Sequence, residues 1–257
     1  MSYITWELDG KTAIVTLNRP PANALSTDLL QELDFLLNEL ANNNDVRVIV
    51  LRGEGRFFSA GADIKEFTVV RSGEEFSQLA ANGQNLFEKM ENFEKPIIAS
   101  IHGAALGGAL ELAMACHIRL VSETAKLGLP ELQLGLIPGF AGTQRLPKYI
   151  GTAKALELMM TSDTITGKEA VLLGLANNAY PEEQLFDKTM ELARKVEKKS
   201  PISVSSVIKL LRYTKDAEYY QGVQEEAKLF GTVFESNDAK EGIQAFIEKR
   251  QPNFVGK

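Results

Sequence analysis

Two carboxylates stand alone in apolar surroundings. Glu111 is the one charged side chain in GAALGGALELAMAC (103–116), and Glu131 is the one in LGLPELQLGLIPGFAG (127–142). Segments this apolar pack inside a protein, where an unpaired carboxylate costs several kcal/mol or gives up its charge. One such group can be a carboxylate that accepts hydrogen bonds from nearby backbone. Two of them, twenty residues apart in adjoining elements, suggest an acid and a base. Burial and mutual repulsion raise carboxyl pKa values toward neutrality, where both proton transfers become useful.

Two small-residue loops accompany these carboxylates. Gly107 and Gly108 follow an apolar run and open the segment that carries Glu111. The first N–H groups of a helix have no partner within it, so they can hold negative charge developing on an oxygen. Helix–strand packing that needs small residues reads this loop equally well. SAGAD (59–63) is a second candidate for close backbone approach to a ligand, although an ordinary glycine turn before a helix has the same composition. Together the two loops and two carboxylates suggest chemistry beside an acyl carbonyl.

Other chemistries lack their residues. No GxGxxG, GxxxxGK[ST] or GxSxG pattern occurs, and Ser59 has no evident histidine base. His102 and His117 are the only histidines, without CxxC or HExxH spacing, so a metal site is not expected. The single cysteine, Cys116, sits in an apolar run and is expected to be a buried, inert thiol in a reducing compartment.

The elements that must position these groups are legible from periodicity. YITWEL and TAIVTLN flank Asp9-Gly10 and predict a hairpin. Leu29, Leu30, Leu33, Leu36, Leu37 and Leu40 recur at helical spacing behind a capping Ser26. VRVIVLR (46–52), PIIASIH (96–102) and HIRLVSE (117–123) have strand length and composition, and a polar helix is expected over about 73–93. Beyond about residue 140 helical patterns dominate: a capping box at Thr166 and Glu169, a Ser200-Pro201 start, and runs over 182–199, 201–213, 216–235 and 238–249. Strands alternating with helices predict an α/β core with partly parallel pairing, followed by a mainly helical region.

Composition sets the outer limits. The 257 residues suffice for a sizeable core, and 44% hydrophobic with 24% charged residues is ordinary for a soluble protein. A net charge of -6 gives no reason to expect a nucleic acid or an anionic membrane as partner. The opening MSYITWELDGK lacks the basic start and apolar core of a signal peptide, and no charge-free apolar run reaches membrane-spanning length. A cytoplasmic protein is expected.

Five blocks, in order, resemble the crotonase, or enoyl-CoA hydratase/isomerase, superfamily: LNRPPANAL (17–25), FFSAGADIKEF (57–67), IHGAALGGALELAMACHIRL (101–120), LPELQLGLIPGFAGTQRL (129–146) and EGIQAFIEKR (241–250). The resemblance implies a spiral core of repeated ββα units over 1–199 and a helical C-terminal region over 200–257. That region would serve trimer formation, with hexamers built from two trimers.

The resemblance also implies roles. The N–H groups of Ala62 and Gly108 would form an oxyanion hole for an acyl-CoA thioester. Glu111 would act mainly as base on water attacking C3 of a 2-trans-enoyl-CoA, Glu131 would protonate C2, and Gly139 would help place the water. Ala22, Ala24, Ala60, Asp63, Ile64 and Lys65 match positions along the CoA and thioester path. Phe246 and Lys249 match a C-terminal contact that reaches CoA across a subunit boundary. No cofactor beyond the substrate's own coenzyme A is implied.

Ala109 stands where many relatives carry a third glycine, and the segment around 66–90 carries no legible code for acyl length. Related enzymes isomerise double bonds, hydrolyse thioesters or dehalogenate aromatic acyl-CoAs, usually with one carboxylate or one placed differently. The presence of both Glu111 and Glu131 therefore favours hydration, most commonly a step of fatty-acid β-oxidation. A non-catalytic, RNA-binding relative is the reading of another class; the acidic balance and the retained carboxylates oppose it.

Overall fold

The structure, a computed structural model, describes residues 2–67, 72–215 and 236–257. The helical pattern expected over 216–235 lies outside the described residues.

The opening hairpin forms as its residues predict. β1 (Ile4–Asp9) pairs antiparallel with β2 (Thr12–Leu17), and Gly10 turns the chain at a φ of 63°. α1 (Thr27–Asn42) follows, with Ser26 accepting from the Leu29 N–H and all six periodic leucines buried. β3 (Val48–Gly53) leads through the glycine loop to a short α2 (Ile64–Phe67) and the long α3 (Gly73–Glu91).

The next two turns of chain share one plan. β4 (Ile97–Ile101) is followed by β5 (Ala104–Leu106) and α4 (Gly108–Ala115). β6 (Ile118–Ser122) is followed by β7 (Lys126–Gly128), a 3-10 turn (Glu131–Leu134) and α5 (Gly142–Ile150). The remainder is mainly helical: α6 (Thr152–Thr161), α7 (Gly167–Leu172), α8 (Glu182–Glu197), α9 (Pro201–Lys215) and α10 (Asn237–Glu248), with β8 (Ile165–Thr166) and β9 (Asn178–Tyr180) interspersed. The capping box at Thr166 and Glu169 is formed.

From β4 to β7 successive strands alternate between two sheets, which makes the spiral. The larger sheet has the order β1-β2-β3-β4-β6-β9 and is parallel after the first pair; the smaller is β5-β7-β8. Only His102 and Gly103 separate β4 from β5, so the corner is sharp. Gly103 makes it at a φ of 62°, where a Cβ would lie 2.1 Å from the Arg56 carbonyl oxygen. Single parallel bridges, Leu25 to Ala62 and Ser59 to Ala105, extend the inner run through earlier turns of the chain.

The central strands of the larger sheet, β2, β3, β4 and β6, are buried on both faces. α8 covers one face through Leu185, Met190 and Ala193 against Ile14, Val48, Val50, Ile98 and Leu120. The main core fills the other side, between the sheet and α1, α3 and α4. Burial on both faces explains why these strands read as continuous apolar runs rather than alternating ones. Four short strands, β5, β7, β8 and β9, went unpredicted from periodicity, because two or three residues cannot display a period of two. Among the described residues, no helix is long and apolar enough to cross a membrane.

Candidate active site

The spiral brings the two glycine loops together. Ala62 forms its bridge with Leu25 through its neighbours: the Leu25 N–H donates to the Gly61 carbonyl and the Asp63 N–H to the Leu25 carbonyl. The N–H of Ala62 therefore points away from that partner. Gly108 is the first residue of α4, so its N–H has no helical acceptor. Among the described residues, neither N–H donates a hydrogen bond. A Cβ on Gly108 would lie 3.4 Å from the Ala62 nitrogen, and one on Gly61 would lie 2.5 Å from the Leu106 carbonyl oxygen. Two free donors thus converge from loops forty-six residues apart. Gly107, at φ 54° and ψ −128°, holds the backbone conformation that brings this about.

Glu111 lies on the first turn of α4 and is 1% exposed. Its Oε1 accepts from the Phe140 N–H at 2.9 Å and the Gly142 N–H at 2.6 Å. Burial first, and the Glu131 charge second, push its pKa up to about 7, while the two N–H groups and Arg145 work against the rise. The group thus titrates near neutrality, where a carboxyl can both take up and release a proton.

Glu131 opens the 3-10 turn after β7. Burial raises its pKa also, and its Oε2 is buried with no hydrogen-bond partner among the described residues. A Cβ on Gly107 would sit 3.1 Å from its Oε1. Glu111, Glu131 and the Gly108 donor therefore share one site, a cavity of about 220 Å³ with largely apolar walls. Ala60, Ala62, Ile64 and Gly139 line it as well. The Gly139 carbonyl accepts from Gln84 Nε2 at 2.8 Å, which ties this loop to α3.

The remaining sequence-predicted positions divide. Ala22 and Ala60 meet through a backbone hydrogen bond of 2.9 Å, and the Ala24 carbonyl accepts from Arg19. Burial works against charge on Asp63, yet its bond to Arg19 and the Lys65 N–H hold its carboxyl below the ordinary value. Lys65 is exposed beside it. Lys249 is exposed just past α10 and does not line the cavity. Phe246 lies on α10, and its side chain is outside the described set.

Other candidates take structural roles. Ser59 is buried and donates to the Asn23 carbonyl at 2.6 Å. Neither histidine lines the cavity: His102 Nε2 is 2.9 Å from the Gly55 carbonyl, and His117 Nδ1 accepts from the Ile97 N–H. Burial pushes the Cys116 thiol up to about 12.

Sequence reasoning did not single out Phe140, Gly142 or Arg145. The Phe140 ring lies between two glycines: a Cβ on Gly83 would fall 2.4 Å from one edge, and one on Gly108 would fall 3.1 Å from the other. Phe87 packs edge-on at 5.3 Å between ring centroids. α3 also supplies Phe76, Leu79 and Ala80 to the cavity wall. The glycines of PGFAG were the available signal, but they do not say which neighbour comes close.

A two-sheet spiral of ββα units with a helical C-terminal region is the fold of the crotonase class of α/β proteins. The family model described as enoyl-CoA hydratase/isomerase matches residues 7–257, and the chain belongs to that family. It is 56% identical to a probable enoyl-CoA hydratase of Bacillus subtilis (strain 168), with all of both chains covered. It is 37% identical to a short-chain-enoyl-CoA hydratase of Clostridium acetobutylicum, covering 98% of this chain and 97% of the relative. The crystal structure of an enoyl-CoA hydratase from Bacillus anthracis superposes with a TM-score of 0.95 at 36% identity, over 99% and 100% of the two chains. These homologues are hydro-lyases.

Proposed function

We propose that the protein is an enoyl-CoA hydratase that adds water to a 2-trans-enoyl-CoA and gives the 3-hydroxyacyl-CoA. One observation carries the reading: Glu111, Glu131 and the Gly108 donor open into the same apolar cavity, with the Ala62 N–H beside them. The thioester carbonyl accepts from the two N–H groups, which draws electron density from C3. Ionised Glu111 removes a proton from water as its oxygen bonds to C3, and the charge passes to the thioester oxygen. Protonated Glu131 then delivers a proton to C2 on the same face. The apolar walls suit this division, since two close carboxyls in low dielectric resist being ionised together.

Ala22, Ala24, Ala60, Asp63, Ile64 and Lys65 follow the CoA path in this reading, with Phe246 and Lys249 reaching it from a neighbouring subunit. Assembly as a trimer or a hexamer is part of the proposal. Leu156, Met160 and Leu172 are 50%, 65% and 85% exposed on α6 and α7, and subunit contact would cover them. A cytoplasmic step of fatty-acid β-oxidation is the proposed setting, on the frequency of that role in the family.

The test is direct. Purified protein mixed with a short 2-trans-enoyl-CoA should bleach the conjugated-enoyl absorbance and yield the 3-hydroxyacyl thioester. A folded protein that turns over no enoyl-CoA of any chain length would rule the reading out.

A further inference from the structure

We propose that Arg145 is a positioning residue for Glu111: clamped by Glu91, it holds the Phe140–Gly142 turn so that both N–H donors meet Glu111 Oε1 and Oε2 is left to the cavity. The hydratase reading underlies only the kinetic part of the test.

The turn depends on outside support. Phe140 and Gly142 send their N–H groups to one oxygen, with Ala141 between them at φ 68° and ψ 26°. Successive N–H groups around a left-handed residue make an anion-binding concavity, here occupied by a side-chain carboxylate. Left-handed backbone at a non-glycine residue is unfavourable, so other contacts must maintain it. Arg145 supplies one, since its Nη1 donates to the Phe140 carbonyl at 2.5 Å. Glu111 Oε2 accepts no bond among the described residues, and the side chain lines the cavity.

Arg145 is itself fixed. Its Nε and Nη2 donate to the two oxygens of Glu91 on α3, at 3.0 and 3.1 Å, and Glu88 approaches to 4.0 Å. Arg145 as a whole is 5% exposed. A planar fork with three directed bonds is a role that the point charge of a lysine does not reproduce.

The charged groups facing Glu111 are Glu131 from the 3-10 turn and Arg145 from α5. α3 brings Glu88 and Glu91, both set on the guanidinium, and β5 brings no ionisable side chain. Arg145 is thus the cation that offsets the second carboxylate, in addition to shaping the turn.

Three variants separate geometry from charge: Arg145→Lys, Arg145→Gln and Glu91→Gln, with circular dichroism to establish which fold. Two measurements are made. One is kcat and KM for a 2-trans-enoyl-CoA; the other is an infrared titration of the Glu111 carboxyl, assigned with Glu111→Gln. Arg145→Lys should lower kcat on the order of 10²-fold, with KM within about threefold, and raise the titration by less than Arg145→Gln does, since it keeps the charge and loosens only the two N–H bonds. Arg145→Gln should lower kcat similarly and move the titration to higher pH. Unchanged kcat in a folded Arg145→Lys, or an unmoved titration in a folded Arg145→Gln, overturns the proposal.

If neither Arg145 variant folds, Glu91→Gln decides: a kcat lowered about tenfold or more at preserved KM supports the proposal, and wild-type kcat overturns it. If none of the three folds, the cluster serves the fold alone and the proposal falls. Should the wild type hydrate nothing, the hydratase reading fails, and the infrared titration still judges Arg145.

Discussion

The Gly142 N–H reaches Glu111 Oε1 at 2.6 Å, and a Cβ on Gly142 would occupy a point 2.8 Å from that same oxygen. The bond therefore exists because position 142 has no side chain. Gly142→Ala should push the carboxylate away from its second donor and lower kcat on the order of 10²-fold. The circular dichroism spectrum should stay that of the wild type. Wild-type kcat in this variant would show that the bond does not set the position of Glu111.

The two carboxyls should be separately indispensable. On the proposed mechanism Glu111→Gln removes the base and Glu131→Gln the acid, so each should reduce kcat by about 10³-fold or more while the protein stays folded. Full activity in either variant would leave that residue without a catalytic role. In the wild type, kcat/KM should rise with pH through about 7 as Glu111 ionises.

The same pKa predicts a stability effect. Glu111 titrates at about 7 in the folded protein, against an ordinary 4.5. Between those values the folded state keeps a proton that the unfolded chain has released, so raising the pH lowers stability. Above the window the penalty is complete, on the order of 3 kcal/mol, and below it the penalty is absent. Glu111→Gln should therefore unfold at a higher temperature than the wild type at about pH 8, with the difference shrinking toward pH 4.5. Thermal melts of the two proteins across that range measure it.

The Phe140 ring couples α3 to the proposed oxyanion donor. Gly83→Ala would place a methyl 2.4 Å from the ring and should destabilise the fold by about 1–3 kcal/mol. Adding Phe140→Ala should make the pair of changes less costly than their sum, because the clash is gone. Gly108→Ala meets the ring at 3.1 Å and shifts the donor itself, so its loss should fall on kcat, about 10²–10³-fold. Denaturant melts and steady-state kinetics on the same preparations distinguish the two effects.

Cys116 should be inert. It is 2% exposed with its thiol pKa near 12, so a thiol reagent should label it only after denaturation. Rapid labelling of the native protein would contradict its buried place at the C-terminal cap of α4.

Much of the architecture was legible because its signals are local. Six leucines at helical spacing, a serine cap, an Asp-Gly turn and a capping box each act within a few residues, and all take their predicted form. Glu111 stood out for a related reason, as a charge in a run that does pack inside. The run around Glu131 is as apolar, yet no residue of its 3-10 turn is fully buried, and Leu134 and Ile137 are 58% and 74% exposed. The inner strands escaped because they are two or three residues long and are made by register with distant chain. The helix over 73–91 was expected from its own residues, whereas its place in the cavity wall came only from the family resemblance, since a packing partner leaves no periodic mark.

By itself the sequence determined which residues have the chemistry: two isolated carboxylates and two loops small enough to expose backbone donors. Five ordered motifs added the family. The tertiary structure alone decided that Ala62 and Gly108 converge, that Glu111 takes both bonds from the Phe140–Gly142 turn, and that Arg145 and Glu91 stand behind that turn. Residue type and periodicity are properties of a segment and can be read along it. Approach distances near 3 Å between elements dozens of residues apart depend on how the sheets turn their corners, and that exists only in the folded chain.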